Sequence, residues 1–393
     1  MASSVAEHRH AVTHMLRALD ALPAETVPLR DARGRLLAAD LLSPLDLPLF
    51  RNSQMDGFAV DAGSVESTPV TLSIAGTVAA GDAGSTAHVA GTAVRIMTGA
   101  PIPDGADAIV PVEDTTVADD RVTIDRGRTV GEFVREAGSD VVAGELLVAA
   151  GTLLAARHIA VLAAVGVETV SVRRRPRAAV ITTGAELVPA GQPLSPGQIY
   201  DSNGIALATS LEANGAEVVS VARSSDDVTQ FRRLLDDALA NADLVITSGG
   251  VSMGDFEVVK ETLQPLGGQF GHVGMQPGGP QGLTMVNDVP VLSFPGNPVS
   301  TLVSFEVFAR PLLRKAAGLP AVVAADLPIT RDLTSVPNRR QFLRGRVRDG
   351  QVDIVSGPGS HLVAGMALAD VLIDLSAETT TVSAGTHVQV WAL

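Results

Sequence analysis

Three short stretches set glycines and acids just where an apolar run ends: TTGAEL at 182–187, SGGVSMGDFE at 248–257 and FPGNPVS at 294–300. Open parallel sheets bind ligands at the carboxyl ends of their strands, so all three stretches are candidates for one rim. Gly249 and Gly250 let backbone N–H groups approach an oxyanion with no Cβ in the way. Pro298 suits the first position of a helix, and Asn297 before it suits a cap. Carboxylates of Glu186, Asp255 and Glu257, with Asp226 from SSDDV, cannot hold a phosphate directly, because like charges repel. A divalent cation between them removes the conflict, and Mg2+ characteristically bridges one or two carboxylates to phosphate oxygens. Each residue also has an ordinary use. Asp226 and Asp255 would complement a helix dipole, and Asn297 would cap a helix.

The elements that must position these residues follow from periodicity. From 178 to 318, apolar runs alternate with amphipathic segments: AAVITT, then a helix ending at Gly215, AEVVSVA, the helical 226–242, DLVITSGG, the helical 256–267, VPVLSFPG and a long helix from 298. Strands apolar along their whole length and separated by helices predict a doubly wound parallel sheet covered on both faces. Residues 5–22 predict an amphipathic helix with His8, His10 and His14 close together on it. Short alternating runs between 46 and 140 predict a β-rich insertion, and 153–166 a helix stopped by Gly166. RRRPR at 173–177 reads as a charged linker, and 321–393 as a small β domain. The domains expected are therefore 1–45 with 141–174, 46–140, 175–320 and 321–393.

Composition narrows the function. With 393 residues the chain exceeds what one core usually holds. A net charge of -14 argues against nucleic-acid binding, which needs a basic footprint. The start of the chain lacks the apolar core of a signal peptide, and no apolar run is long enough to span a membrane. Cysteine is absent, which fits a reducing cytoplasm.

Seven motifs then occur in one order: NSQMDGFAV (52–60), RIMTGAPIPDGADAIVPVE (95–113), TTGAELV, GQIYDSNG (197–204), SGGVSMG, FPGNPVS and RRQFLRG (339–345). In this the chain resembles the molybdopterin molybdenumtransferases, the MoeA-type enzymes related to the carboxy-terminal part of gephyrin. The resemblance covers nearly the whole chain. It implies a multidomain α/β fold: a central sheet domain like MogA, a helical linker domain, a β-rich insertion and a C-terminal barrel-like domain. It also implies Mg2+-dependent insertion of molybdate into adenylylated molybdopterin with release of AMP, by a cytoplasmic homodimer. Contact with the molybdopterin adenylyltransferase and with recipient molybdoenzymes would follow.

Carried over by motif, Asp56, Thr98 and Asp140 would act in the cleft from the partner subunit. Glu186, Asp226, Asp255 and Glu257 would handle the metal and pyrophosphate. Gly249, Gly250, Ser252, Asp201, Asn203, Pro295, Gly296, Asn297 and Pro298 would hold the substrate, and Arg339 and Ser360 the molybdate. The chain departs from the family at Ala185, where a carboxylate is usual, and at His272, Gln276 and Gly279, where lysines are common. His272 is the one of these three that gains a charge beside a bound dianion, so it joins the substrate-binding set. Two other functions share these motifs, molybdopterin adenylylation and non-catalytic molybdopterin binding.

Overall fold

Strand Arg177–Thr183 (β1) shows why its sequence has no polar face. Ala178 and Val180 enter one hydrophobic core, with Leu207, Leu211, Val299 and Val303, while Ala179 and Ile181 enter another, with Phe231, Leu235, Val259 and Leu263. Alternation along a strand sends successive side chains to opposite faces, so a sheet covered twice must be apolar at every position. The computed structural model describes residues 3–82, 87–251 and 257–393. The chain divides into two compact units, one of residues up to Glu25 with Val172–Leu393, the other of Thr26–Ser171.

In the first unit β1 is followed by helix Ser202–Ala213 (α1), strand Glu217–Ser224 (β2), helix Val228–Asn241 (α2), strand Leu244–Ser248 (β3) and helix Val258–Leu263 (α3). Strands Gln269–His272 (β4), Pro280–Val286 (β5) and Val289–Phe294 (β6) come next, then helix Pro298–Ser304 (α4). The sheet order is β2-β1-β3-β6-β5-β4. The first four strands are parallel, as expected for a doubly wound sheet. β5 and β4 extend it antiparallel, in a region where the sequence shows no clear strand. β4 is mostly exposed, so it carries no apolar run to reveal it. The N-terminal helix Val5–Leu16 packs Val5, Val12 and Leu16 into the same core as α1 and α4.

RRRPR is not a free linker. Arg174 forms a bidentate pair with Asp243 at 2.7 and 3.0 Å, and the N–H of Arg177 donates to the same carboxylate. The C-terminal strands Ala324–Pro328, Arg340–Arg348, Gln351–Ile354, Val371–Leu375 and His387–Ala392 pair antiparallel, and Met275–Gln276 joins Arg340–Arg348 in parallel, which makes the sheet mixed. A bridge between Ile329 and Val352 links the first of these to the third and rounds the sheet into a barrel-like form. Its core holds Leu343, Val352, Ile373 and Val390.

The second unit is built on a six-stranded sheet ordered Ala108–Pro111, Gly57–Val60, Thr92–Ile96, Val70–Val78, Arg121–Ile124 and Thr115–Ala118. Its helix Ala156–Ala164 ends near Gly166, whose φ of 75° is the left-handed conformation expected of a helix stop.

Candidate active site

The carboxyl ends of β1, β3 and β6 open into a cavity of about 540 Å³. Eleven residues anticipated from sequence line it: Glu186, Asp201, Asn203, Asp226, Gly249, Gly250, Glu257, Pro295, Gly296, Asn297 and Pro298. The strand ends Thr183 and Ser248 also line it, and the strand-end rule alone would have found them.

The acids are placed differently. Asp201 is structural: its Oδ1 accepts from the N–H of Gly204 at 3.0 Å, capping α1, and its Oδ2 accepts from the Thr182 hydroxyl at 2.7 Å. Asp226 is not the helix cap that a first-turn acid would be. Asp227 caps α2, accepting from the N–H of Gln230 at 2.6 Å, which leaves Asp226 on the cavity wall. The Glu186 carboxylate folds back to within 2.6 Å of the Cβ position of Gly184, whose φ of 149° is one that L side chains rarely adopt. Glu257 precedes α3 and faces the same cavity.

Glycines make the floor. Gly249 has a φ of 100° and Gly250 a φ of 64°, and the Cβ position of Gly296 lies 3.3 Å from the Gly249 Cα. Two backbone loops therefore touch without side chains between them. Asn203 braces them: its Nδ2 donates to the Ser248 hydroxyl at 2.9 Å and to the Gly296 carbonyl at 2.7 Å. Thr301 holds the same loop through the Pro295 carbonyl at 2.6 Å. Asn297 makes no side-chain cap hydrogen bond, so its amide is available to the cavity. The amides at the start of α4 are not all open: Val299 N–H donates to the Ser360 carbonyl at 3.1 Å. That contact brings Ser360 against the rim, although its side chain does not line the cavity.

Other expected residues lie elsewhere. His272 lines a separate cavity of about 260 Å³ with Glu7, His8 and Phe270. It sits at the end of β4, paired with Pro280, and the cavity wall near it is formed by Pro280 instead. Arg339 is exposed, while its neighbour Arg340 grips Asp374 at 2.7 and 2.6 Å. Ser252 and Asp255 lie outside the described residues. Asp56, Thr98 and Asp140 belong to the second unit. There the Thr98 N–H and hydroxyl donate to the same Asp56 oxygen at 2.6 and 2.8 Å, which holds the Asp56 carboxyl below the usual carboxylate range. Asp140 is exposed, and its N–H donates to the Leu47 carbonyl at 2.9 Å.

Among the described residues no three His, Asp or Glu side chains converge into a ready-made metal cage. The donor set does suit Mg2+: carboxylate oxygens only, on the wall of a cavity roomy enough for waters and phosphate to complete the coordination.

Residues 3–166 match the MoeA N-terminal region (domain I and II), 179–315 the probable molybdopterin binding domain, and 326–393 the MoeA C-terminal region (domain IV). The chain is 44% identical to molybdopterin molybdenumtransferase 2 of Mycobacterium tuberculosis, with 99% of each chain covered. It is 37% identical to the molybdopterin molybdenumtransferase of a Nostoc species, over 99% of this chain and 94% of that one. A solved molybdopterin biosynthesis MoeA protein from Pyrococcus horikosii superposes with a TM-score of 0.80 at 32% identity, covering 97% of this chain and 98% of that one.

Proposed function

The chain belongs to the molybdopterin molybdenumtransferase family, enzymes of molybdenum cofactor biosynthesis, and on that premise we propose how its cavity works. The substrates are adenylylated molybdopterin and molybdate, and AMP is released. The observation that carries this is the meeting of Glu186, Asp226 and Glu257 with two bare glycine loops in one cavity at the sheet's carboxyl edge.

The pyrophosphate link of the substrate lies over Gly249, Gly250 and Gly296, where the absence of Cβ atoms lets it reach backbone amides. Asn203 keeps those loops in register, and the Asn297 amide offers donors at the start of α4. Glu186, Asp226 and Glu257, with Asp255, would hold Mg2+. When bound, it neutralises phosphate oxygens and so supports departure of AMP. Water's oxygen bonds to the pterin-side phosphorus as the phosphoanhydride P–O bond breaks; AMP leaves with the bonding electron pair, and the water's protons pass to the released phosphates and solvent. Molybdate, a tetrahedral dianion, is substrate and is met by Arg339 and Ser360. Asp56, Thr98 and Asp140 complete the cavity of a second copy in a homodimer. Among the described residues no helix is long and apolar enough to cross a membrane, and we place the enzyme in the cytoplasm, beside the adenylyltransferase that supplies it and the molybdoenzymes that receive its product.

The test is molybdate-dependent AMP release by the full chain with adenylylated molybdopterin and Mg2+. Glu186→Ala should lower the rate by at least ~10- to 100-fold, the range seen when support for a bound metal is removed. Release that survives the substitution would reduce Glu186 to a turn residue. Adenylylation of molybdopterin from ATP without molybdate would instead assign the chain to the preceding step.

A further inference from the structure

Among the described residues Arg344 is the largest side chain fully hidden from water, at 0% exposure. It lies within strand Arg340–Arg348, and its backbone is fixed on both sides: it pairs with Leu372, and its carbonyl accepts from the Val355 N–H at 3.0 Å. Among the described residues its guanidinium meets no carboxylate; its bonds all go to one short loop. Nε donates to the Ser356 hydroxyl at 3.0 Å, and Nη2 donates to the Gly357 carbonyl and, at 3.2 Å, to the Gly359 carbonyl. Nη1 is buried without a partner. A buried charge with no counter-ion destabilises a fold relative to an apolar side chain of similar volume, so stability alone does not account for Arg344.

The loop it holds leads to the cavity. Residues 355–363 belong to no strand or helix; they join strand Gln351–Ile354 to the short helix Ala364–Ala367. Packing holds Ser356 as well, since a Cβ at Gly365 would lie 2.3 Å from its hydroxyl oxygen. Further on, the Ser360 carbonyl accepts from the Val299 N–H at the rim. Ser360 is one of the two residues proposed to meet molybdate, and the other, Arg339, immediately precedes the strand that carries Arg344. Resting on the function proposed above, we infer that Arg344 is the positioning residue for molybdate: it sets loop 356–360 in the shape that presents Ser360 to the dianion. Glycines at 357 and 359 leave the loop many conformations, and three bonds to one planar fork select among them. Fixing a binding loop in its bound shape raises affinity by removing the cost of ordering it. The buried positive charge, with no carboxylate beside it, attracts a dianion as well.

Steady-state AMP release by the full-length protein tests this, with molybdate varied at saturating adenylylated molybdopterin and then the reverse. The proteins compared are the wild type, Arg344→Met, Arg344→Lys and Ser356→Ala, each with a thermal melt. Arg344→Met keeps most of the volume and removes the fork. It should raise the KM for molybdate roughly 10- to 100-fold, as expected when hydrogen bonds from a charged donor are lost, and leave the KM for adenylylated molybdopterin within about 2-fold. Arg344→Lys keeps the charge without the fork and should fall between Arg344→Met and the wild type. Ser356→Ala spares the charge and removes one acceptor; it should raise the molybdate KM several-fold, and it decides the matter if Arg344→Met does not fold. A melting temperature that drops while the molybdate KM holds, or two KM values that rise together, would make Arg344 a purely structural residue and overturn the inference with the function intact. Wild-type AMP release that does not depend on molybdate would overturn the function, and the inference with it.

Discussion

Gly249 shows how strictly single residues define the cavity. Its φ of 100° is one that L side chains rarely adopt, and a Cβ would lie 2.6 Å from the Thr183 hydroxyl oxygen and 2.7 Å from the Thr183 carbonyl oxygen. Neither neighbour is a flexible chain end. Gly249→Ala should therefore destabilise the protein by about 1–3 kcal/mol through backbone strain, and more if the loops separate. Gly271→Ala is the control, since its Cβ position meets nothing within 4 Å. Thermal melts of the two variants check this; equal melting temperatures would show that the glycine loop is not tightly held. The glycines, Glu186 and Glu257 were legible as site residues because strand ends carry ligands. Asp226 is ambiguous in the sequence, since SSDDV offers two acids for one cap, and in the fold Asp227 takes it. Asn203 as a brace left no such mark, because its role depends on contacts across 45 and 93 positions.

Among the elements, the N-terminal helix carries the clearest pH sensitivity. Ser4 and Glu7 close a capping box at its start, and Val5, His8 and Val12 follow at helical spacing into the core. His8 lies edge-on to Phe308, with ring centroids 4.6 Å apart, and its Nε2 has no hydrogen-bond partner. Burial therefore favours the neutral ring and pushes its pKa from 6.5 down to about 4. Between those two values the unfolded chain takes up a proton that the folded chain refuses. The stability is complete above about pH 6.5 and is lost as pH falls toward 4, by on the order of 3 kcal/mol. His8→Leu should remove that loss, so the melting-temperature difference between variant and wild type should shift in the variant's favour from pH 7.5 to pH 4.5. A constant difference would mean that His8 does not titrate in this way. The sequence groups His8 with His10 and His14, yet the helix separates them: positions 10 and 14 turn to solvent while 8 turns in. Uniform burial made β1, β3 and β6 easy to anticipate, whereas β4 is exposed at three of its four positions and gives no periodic signal. Likewise the charge of RRRPR suggested a solvated link, and the partner that anchors it, Asp243, lies far along the chain.

At the scale of the molecule, the proposed chemistry is divided between the two units of the chain. Glu186, Asp226 and Glu257 share one cavity in the first, while Asp56 and Thr98 form a hydrogen-bonded pair in the second. Nothing in the motif spacing says whether one copy supplies both sets, and the two-copy arrangement is the one proposed above. It has a consequence that a one-copy site lacks. If Asp56 completes the cavity of another copy, Asp56→Ala and Glu186→Ala damage different halves of each shared site. Mixing the two impaired variants under conditions that exchange subunits then yields dimers in which one site carries both lesions and the other carries neither. Half of the dimers would be mixed at random exchange, so AMP release should recover to roughly a quarter of the wild-type rate. Each variant incubated alone should stay at its own lowered rate, and the mixture should elute at the mass of a dimer. A mixture that remains inactive despite proven exchange would place Asp56 and Glu186 in the same copy's site, and a strictly monomeric protein that is nonetheless active would do the same.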